Sequence, residues 1–451
     1  MKRIFIACCI CLGCSSIQKT TNSAKDVQVV EEKILSVPGP MVFSSGIPTY
    51  AAATVNYKRN NRTLLNIQFN EPVTVSVASK PEKWGYFQFP SIGRKADGSL
   101  QAKWNMTPDA IEAYGMDNSG SANSADGGKT WKIQENAETI GGILLPDGDR
   151  LEIITPKPIK VEDLKLPKPV GSGSENYRKS DFTFYRLDDL PASRQGVFLK
   201  RLKKGETEWK TERASLYDPN AARYSLSGLV PVVWWGDMHI AKDGSIIAGI
   251  YPGFLIGENG LADPKSGVFF YRSTDGGHSW SIQGRIPYHP NLVADPKGDK
   301  RMGFTEPAFE ILKDGTFLCA IRTTDGAGNG PMYTSYSKDL GKTWTKPEAM
   351  AATGVLPKLL QLNNGILVMT SGRPGVQLRF SANGKDKAAW TEPFEMLPYE
   401  NEKDQVSCGY TGLISTGPDS FLIILSDFKY LNAEKELRKA IKVREVIVKP
   451  K

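Results

Sequence analysis

One eight-residue phrase occurs three times in the chain and constrains the fold more than any other feature. The copies begin at Ser124, Ser273 and Ser337 and fit the pattern Ser-x-Asp-x-Gly-x-(Ser/Thr)-Trp, and weaker copies span residues 203–209 and 381–390. In such a run the Asp side chain can accept backbone N–H bonds across a tight turn, and Gly can adopt a positive φ. The Trp can cover the apolar edge of a sheet. The repetition therefore predicts a recurring β-hairpin with an architectural role.

A second signal, a turn sequence between apolar runs, recurs at six places. Asp-Gly or Asn-Gly between alternating apolar residues is the strongest short-range indication of a hairpin. The turn residues, two of them in degenerate copies, are Asp97, Asp147, Asp243, Asp314, Asn364 and Asp419. Helical periodicity is nearly absent, and residues 433–440 form the one segment with helical character. We therefore expect an all-β chain built from six similar sheets.

The repeated phrase resembles the Asp-box of the sialidase (neuraminidase) superfamily. That resemblance implies a six-bladed β-propeller whose boxes lie on the rim, away from the catalytic face. The sialidase-like β-propeller is expected over residues 41–451, and residues 41–76 are expected to supply leading or closing β-structure. The expected blades are 84–135, 138–215, 230–284, 302–347, 353–395 and 404–450. Residues 155–225 have the least regular pattern, and a seventh blade there remains an alternative.

In a propeller the innermost strand of each blade lines a central channel, so the first residues of these strands converge. Such residues lie about eight or nine positions before each turn residue. They are Gln88 and Phe89, Trp234 and Trp235, Thr305 and Glu306, Val355 and Leu356, and Tyr410. We predict that Gln88, Trp235 and the nearby Asp237 bind substrate. The two tryptophans could instead plug the channel.

Segments of the C-terminal half resemble catalytic motifs of the same superfamily and occur in its order. Residues 305–322 resemble the stretch that joins the catalytic Glu to a substrate-binding Arg, and residues 373–381 resemble the stretch with a second such Arg. Residues 408–413, Cys-Gly-Tyr-Thr-Gly-Leu, resemble the Tyr-Ser-x-Leu motif of the nucleophile. The resemblance implies the catalytic residues Tyr410 and Glu306 and the substrate-binding residues Arg322, Arg373 and Asp427.

These residue types suit a sialic acid. Its carboxylate lies beside the carbon under attack and would repel an anionic nucleophile. A tyrosine, with an ordinary pKa of roughly 10, stays neutral, and it can approach and pass its proton to a neighbouring Glu. Arginine matches a planar carboxylate with two parallel N–H donors. The resemblance thus implies an exo-acting glycosidase that removes a terminal acidic sugar, either sialic acid or a related one.

The N-terminal half departs from the superfamily pattern. Where the family has Arg-Ile-Pro, which supplies its first substrate-binding arginine, this chain has Gln88-Phe-Pro. The acid/base carboxylate is expected within residues 104–124, where Asp109, Glu112 and Asp117 are the candidates. These departures fit a relative that acts on another acidic sugar, or one that has lost catalysis.

Two other function classes remain open. A non-catalytic glycan-binding propeller on the cell surface would fit Gln88 and the aromatic channel positions. A uronate polysaccharide lyase would use Tyr410 or His239 to abstract a proton beside a carboxylate. Release of an unmodified sugar indicates a hydrolase, whereas an unsaturated product indicates a lyase.

The N-terminus indicates export. Lys2 and Arg3 precede an apolar stretch, residues 4–12, that is too short to span a bilayer and is followed by Gly-Cys14. Residues 1–14 resemble a bacterial lipoprotein signal, in which Cys14 is acylated, and residues 15–40 would form an exported linker. We therefore expect a protein that is lipid-anchored to the outer membrane or cell surface. An ordinary secretory signal would instead leave it periplasmic or secreted.

Composition removes several other classes. Four of the six cysteines lie in the signal segment, which leaves Cys319 and Cys408 beside three histidines. This set gives neither a disulfide framework nor metal-ligand spacing, so we predict no metal and no cofactor. The net charge of +8 comes without long runs of Lys and Arg. We expect an acidic glycan as the partner and no nucleic acid.

Overall fold

The computed structural model describes residues 35–36, 41–44, 47–50, 52–59, 62–116, 118–135, 142–175, 180–324, 328–373, 375–385, 387–397 and 405–451. The predicted signal segment with Cys14, the linker up to residue 34, and Asp117 lie outside these residues. The described chain is β-structure joined by turns, which confirms the predicted all-β class. Its helices are single 3-10 turns, so no helix within these ranges has the length and apolar run that a membrane crossing requires. The 3-10 turns are Ile111–Ala113, Val161–Asp163, Leu187–Asp189, Ala192–Arg194, Gly298–Lys300 and Lys387–Ala389.

Strands follow one another along the whole described chain. The first are β1 (Leu35–Ser36), β2 (Met41–Ser44), β3 (Ile47–Tyr50), β4 (Ala53–Arg59), β5 (Arg62–Phe69), β6 (Val73–Val77), β7 (Tyr86–Arg94), β8 (Leu100–Met106), β9 (Ser119–Ser124) and β10 (Lys132–Gln134). The next are β11 (Ile143–Leu144), β12 (Arg150–Ile153), β13 (Ile159–Lys160), β14 (Gly171–Glu175), β15 (Ser180–Arg186), β16 (Val197–Leu202), β17 (Lys210–Tyr217), β18 (Ala221–Leu226), β19 (Leu229–Val230), β20 (Trp235–Ile240), β21 (Ile246–Leu255), β22 (Gly267–Ser273) and β23 (Ser279–Ile286). The last are β24 (Phe304–Ile311), β25 (Phe317–Thr323), β26 (Met332–Ser337), β27 (Glu348–Ala351), β28 (Val355–Gln361), β29 (Leu367–Gly372), β30 (Val376–Ser381), β31 (Phe394–Glu395), β32 (Thr411–Ser415), β33 (Ser420–Leu431) and β34 (Leu437–Pro450).

Most strands belong to antiparallel groups in which sequential neighbours pair. Such groups are β7–β10, β20–β23, β24–β27 and β28–β31, and β11, β12, β16 and β17 form another. The C-terminal group β32–β34 is extended by strands from the N-terminal side, because β34 pairs with both β5 and β6. The strands β4, β5 and β6 thus share one sheet with the C-terminal strand β34.

The irregular region around residues 155–230 contains an additional sheet. Strands β13, β14, β15, β18 and β19 pair among themselves, and β18 also pairs with the far end of β21 at Ala221–Leu255 and Ala222–Phe254. The additional strands therefore extend an existing sheet, while β16 and β17 complete the group of β11 and β12.

The six turn sequences join the first and second strands of successive groups. At five of them the side chain of the turn residue accepts the backbone N–H two residues later, as Asp314 does from Thr316 at 3.0 Å. The segment expected to have helical character is a hairpin instead. Residues 432–436 form its turn, in which the Asn432 N–H donates to the Glu436 carbonyl and the Glu436 N–H donates to the Asn432 side-chain oxygen. Strand β34 then pairs on both edges. Tertiary pairing there overrides a weak local helix preference.

The three copies of the repeated phrase form the same hydrogen-bonded turn between the third and fourth strands of their groups. In the middle copy, Ser273 Oγ donates to Asp275 at 2.8 Å and accepts the N–H of Gly277 at 2.8 Å. Asp275 also accepts the N–H groups of His278 and Ser279. Gly277 has a φ of +92°, which is unfavourable for residues with a side chain. Its carbonyl accepts a hydrogen bond from the Trp280 Nε1–H at 3.1 Å. The phrase is therefore an architectural element.

Apolar clusters fill the space between neighbouring groups of strands. Each of five apolar clusters contains buried side chains from two neighbouring groups of strands. These side chains pack one sheet against the next. Representative residues from the two sides are Trp104 and Ile424, Leu199 and Ile246, Phe270 and Phe309, Leu318 and Met369, and Phe380 and Phe421. This packing fixes the inner edges of the sheets around one shared space.

The architectural role of the phrase is tested by replacing Asp275 with Ala. Partial burial acts to raise the pKa of Asp275, but the hydrogen bonds from Ser279 and Ser273 outweigh it and lower the pKa to about 2. The ionised form is thus favoured in the fold, and its contribution to stability is present above about pH 4 and lost as the pH falls toward 2. We expect D275A to lower the free energy of unfolding by about 1 kcal/mol at pH 7 in chemical denaturation.

The matched control is D163A, which removes an exposed Asp from a 3-10 turn. The control should change the free energy of unfolding by less than half as much. Equal effects of D275A and D163A would contradict an architectural role for the phrase.

Candidate active site

A cavity of about 1320 Å³ opens where the inner strands meet. Its walls come from β7, β20, β24, β28 and β32, from the loop between β8 and β9, and from residues of the additional sheet. Of the convergent residues that the sequence predicts, those that line it are Phe89, Trp234, Trp235, Thr305, Glu306, Leu356 and Tyr410. The prediction that distant inner-strand residues share one space therefore agrees with the geometry.

An unusual backbone conformation aims three of these residues into the cavity. Phe89, Glu306 and Leu356 each lie eight residues before a turn residue, and each has a positive φ, of +51°, +46° and +34°. The strand pairing shifts register beside each of them, so each lies at a bulge. A positive φ costs a non-glycine residue about 1–3 kcal/mol and is characteristic of functional sites.

Glu306 is the centre of the hydrogen bonds in the cavity. Arg322 Nη1 donates to both carboxylate oxygens of Glu306, at 2.7 Å each, and to Tyr410 Oη at 3.1 Å. The Tyr410 hydroxyl donates to Glu306 Oε1, and the backbone N–H of Leu356 donates to Oε2 at 2.8 Å. Both Glu306 and Arg322 are buried. The predicted nucleophile thus directly contacts its predicted proton acceptor.

Tyr410 lies in surroundings that keep its phenol neutral. Burial, and after it the negative charge of Glu306, holds the pKa of Tyr410 well above its ordinary value, against the opposing effect of Arg322 and Arg373. Its ring lies 4.9 Å from that of Phe89, and the Arg373 guanidinium lies 5.9 Å from the ring centroid. A neutral phenol with a carboxylate acceptor at hand has the arrangement that nucleophilic attack near an anionic group requires.

Arg373 is a cation at the wall of this cavity beside Tyr410. Its Nε donates to the carbonyl of Cys408 at 3.2 Å, and its guanidinium lies 5.5 Å from the ring centroid of Trp84. The residue has a φ of +51°. The bond to the backbone just before Tyr410 couples the position of this cation to that of the phenol.

A second polar group lies in the cavity on the inner strands β20, β24 and β28. Lys358 Nζ donates to Asp237 at 2.9 Å, and the pair is about one quarter exposed. His239 Nδ1 lies 3.8 Å from Glu310, which accepts the backbone N–H of Gln361 at 3.1 Å. Opposite charges and hydrogen-bonding groups there suit the hydroxyl groups of a sugar.

Aromatic residues cover another wall. Trp235 donates its Nε1–H to Thr155 at 3.1 Å and meets the ring of Tyr114 edge to face at 4.8 Å. Tyr251 lies beside Trp235, and burial raises the pKa of its phenol well above the ordinary value. Trp235 therefore presents a fixed ring to the cavity, in agreement with its predicted place.

Gln88 and Asp427 are predicted to bind substrate, but the structure places neither beside the cavity. The strand twists at Phe87 and Phe89, both with positive φ, and Gln88 is fully buried. With its amide turned so that both groups find partners, the Gln88 oxygen accepts from Lys439 Nζ at 2.7 Å. Asp427 is buried in an ion pair with Lys442 at 2.6 Å. Both polar groups are thus satisfied inside the fold, and the interpretation of them as cavity residues is corrected.

The three acid/base candidates have different positions. Asp109 is exposed and lines the cavity, in the loop between β8 and β9. Glu112 is exposed but does not contribute to the described cavity wall, and Asp117 lies outside the described residues. The geometry favours Asp109 over Glu112.

Sequence reasoning missed Lys358 and Trp84. Lys358 follows the predicted Leu356 by two residues on the same strand, so the alternation of a β-strand would have indicated it. Trp84 lies in the loop before β7, where no periodic signal exists.

The central ion pair predicts a specific stability pattern. Replacing Arg322 with Met leaves the buried Glu306 carboxylate without its charged partner, so the free energy of unfolding should fall by about 3–5 kcal/mol. Adding E306Q to R322M removes the orphaned charge and should restore part of that loss. Chemical denaturation of the two single variants and the double variant measures the coupling. Strictly additive effects would contradict the pairing.

Comparison with known proteins agrees with the motifs. No protein-family model matches the chain. A curated sialidase from Paraclostridium sordellii is 26% identical over 284 residues, which cover 61% of this chain and 62% of that protein. The match thus spans less than two thirds of the relative's length.

One solved structure shares the fold, and two glycosidase structures are similar to the chain at lower TM-scores. A protein of unknown function from Dyadobacter fermentans is 17% identical to this chain and has a TM-score of 0.51. The superposition covers 83% of this chain and 99% of that one. An α-L-arabinanase from Penicillium chrysogenum is 16% identical and has a TM-score of 0.45, over 83% of this chain and 98% of that one. A Hadza microbial sialidase, 16% identical, covers 78% and 65% with a TM-score of 0.43.

The class of protein follows from the fold and the comparisons together. The chain is an all-β protein of the propeller kind. Its sequence is similar to a sialidase, which confirms the resemblance to the sialidase superfamily that the repeated phrase and the motifs indicate.

Proposed function

We propose that this protein is a glycoside hydrolase that removes a terminal acidic sugar from glycans. The observation that carries the proposal is the contact between the Tyr410 hydroxyl and the Glu306 carboxylate, with Arg322 bonded to both. A phenol paired with a carboxylate, buried in a large cavity, has the parts of a nucleophile and its base.

The first chemical step forms a glycosyl–tyrosine bond. Tyr410 Oη attacks the anomeric carbon while its proton passes to Glu306, and the bond from that carbon to the leaving oxygen breaks. Asp109 donates a proton to the leaving oxygen as it departs. Arg322, which bonds both partners, stabilises the charge that develops on the phenol oxygen.

The second step releases the sugar. Asp109, now a carboxylate, removes a proton from water, and the water oxygen attacks the anomeric carbon. The bond to Tyr410 breaks, and the phenol oxygen recovers its proton from Glu306. Configuration is retained because two displacements occur at the same carbon.

An acidic sugar fits the charges around the nucleophile. The guanidinium of Arg373 lies against the Tyr410 ring and is held by the carbonyl of Cys408. A substrate carboxylate beside the anomeric carbon would meet this cation. The Asp237–Lys358 pair supplies both an acceptor and a donor for hydroxyl groups farther along the cavity. The substrate is thus sialic acid or a sugar of the same chemistry.

Export belongs to the same proposal. The apolar stretch of residues 4–12 followed by Gly-Cys14 supports acylation of Cys14, which would hold the propeller at a membrane surface where extracellular glycans are accessible.

The mechanism predicts the behaviour of two isosteric variants. Removal of the phenol oxygen in Y410F should abolish release of the acid sugar, and E306Q should lower kcat by about 10²–10⁴-fold. The measurement is mass spectrometry of the products released from a sialoglycoprotein and from a panel of glycans that carry other acidic sugars.

The matched control is Y288F. Tyr288 also donates a phenol hydrogen bond, to Gly298 at 2.7 Å, but does so outside the cavity wall. Y288F should keep wild-type kcat. Full activity of Y410F would contradict the mechanism, glycan binding without turnover would favour a binding protein, and an unsaturated product would favour a lyase.

A further inference from the structure

Trp84 lies beside the residues of the proposed mechanism but has no role in its two steps. It lies at the cavity wall and is 40% exposed, although large aromatic side chains normally pack away from water. Its Nε1–H donates to Asp109 Oδ2 at 2.9 Å. The indole is therefore bonded to the carboxylate that the geometry favours as the acid.

The backbone on both sides of this bond is fixed. Asn105 Nδ2 donates to the carbonyls of Gly85 and Thr107, at 2.7 Å each, and so ties the loop of Trp84 to the loop of Asp109. Gly85 has φ of +97°, and a Cβ at this position would lie 2.6 Å from the backbone nitrogen of Asp109. Glycine is thus required for the two loops to approach, and the approach brings the indole N–H to the carboxylate.

The ring of Trp84 is held from several directions. It meets Phe89 and Phe428 edge to face, each at 6.3 Å, and the Arg373 guanidinium lies 5.5 Å from its centroid. Phe89 in turn contacts Tyr410. Trp84 therefore lies between the cation proposed to bind the substrate carboxylate and the carboxylate proposed to protonate the leaving oxygen.

We propose that Trp84 positions Asp109 for proton transfer and that its exposed ring binds the sugar that departs. This inference depends on the proposed function. The C–H face of a pyranose is apolar and slightly positive, so it packs on an indole face. The leaving sugar must lie next to Asp109, because its oxygen receives the proton. The indole bonded to Asp109 is placed to contact that sugar.

Trp84 should therefore speed the cleavage of substrates whose leaving group is a sugar more than that of substrates with a more acidic leaving group. A leaving sugar needs the acid, because its alkoxide is strongly basic, whereas 4-methylumbelliferone leaves readily without a proton. The test therefore compares 3′-sialyllactose with the 4-methylumbelliferyl glycoside of the same sialic acid.

Two variants separate the roles of Trp84. W84F keeps a ring but removes the N–H, and we expect kcat for 3′-sialyllactose to fall about tenfold while kcat for the 4-methylumbelliferyl glycoside changes less than about threefold. W84A also removes the ring, so KM for 3′-sialyllactose should rise by a further three- to tenfold or so. Adding W84F to D109N should cause no additional loss. The control, W131F, alters an indole that bonds Gly128 in a repeated turn and should keep wild-type kinetics.

A second measurement, by NMR spectroscopy, does not depend on catalytic turnover. The indole ¹H–¹⁵N signal of Trp84, identified by its loss in W84F, should move in ligand-free D109N and during titration with lactose, while the Trp131 signal stays in place. Equal loss of kcat on both substrates in W84F, or an indole signal that D109N leaves unmoved, overturns the proposal. If the wild-type protein releases no acid from either substrate, the proposed function fails for that acid, and the indole signal alone decides the role of Trp84.

Discussion

The hydrogen bonds to one carboxylate hold the centre of this protein together. Glu306 extends from β24 and accepts from Arg322 on β25, from the backbone at the start of β28, and from Tyr410 at the start of β32. Three successive groups of strands therefore meet at a single side chain. A buried carboxylate is costly unless paired and hydrogen-bonded, and here each group of strands supplies part of the compensation. The same contacts that neutralise the burial cost place a phenol against a base.

The contacts of Glu306 require backbone strain, which the packing of the surrounding sheets must offset. Glu306, Leu356 and Arg373 have left-handed backbone conformations, which persist only where the rest of the structure determines them. The apolar clusters between neighbouring groups of strands provide this support, since their side chains interlock sheet against sheet. The hydrogen-bonded turns of the repeated phrase join the third and fourth strands of their groups. Glu306, Leu356 and Arg373 therefore combine a strained backbone with a place at the cavity wall.

The parts of the molecule that repeat could be predicted from the sequence, and the parts that occur once could not. The hairpin turns and the inner-strand positions of Glu306 and Tyr410 follow from spacing, because each copy obeys the same geometry. Gln88 matched that spacing, yet two positive φ values turn its side chain into the interior, where Lys439 meets it. Asp427 matched a family position but pairs with Lys442. The contact of Trp84 with Asp109 joins two irregular loops and has no periodic signal. The additional sheet of β13, β14, β15, β18 and β19 also occurs once and has no periodic signal.

If Tyr410 is the nucleophile, it forms a covalent bond to the sugar, and this bond can be trapped. A sialic acid that carries fluorine beside the anomeric carbon and fluoride as leaving group forms the glycosyl bond quickly and hydrolyses it slowly. Digestion of the labelled protein followed by peptide mass spectrometry locates the adduct. One added sugar is expected on the peptide that contains Tyr410. An adduct on Asp109 or Glu306 instead, or turnover of a sialoside with no label on Tyr410, would contradict it.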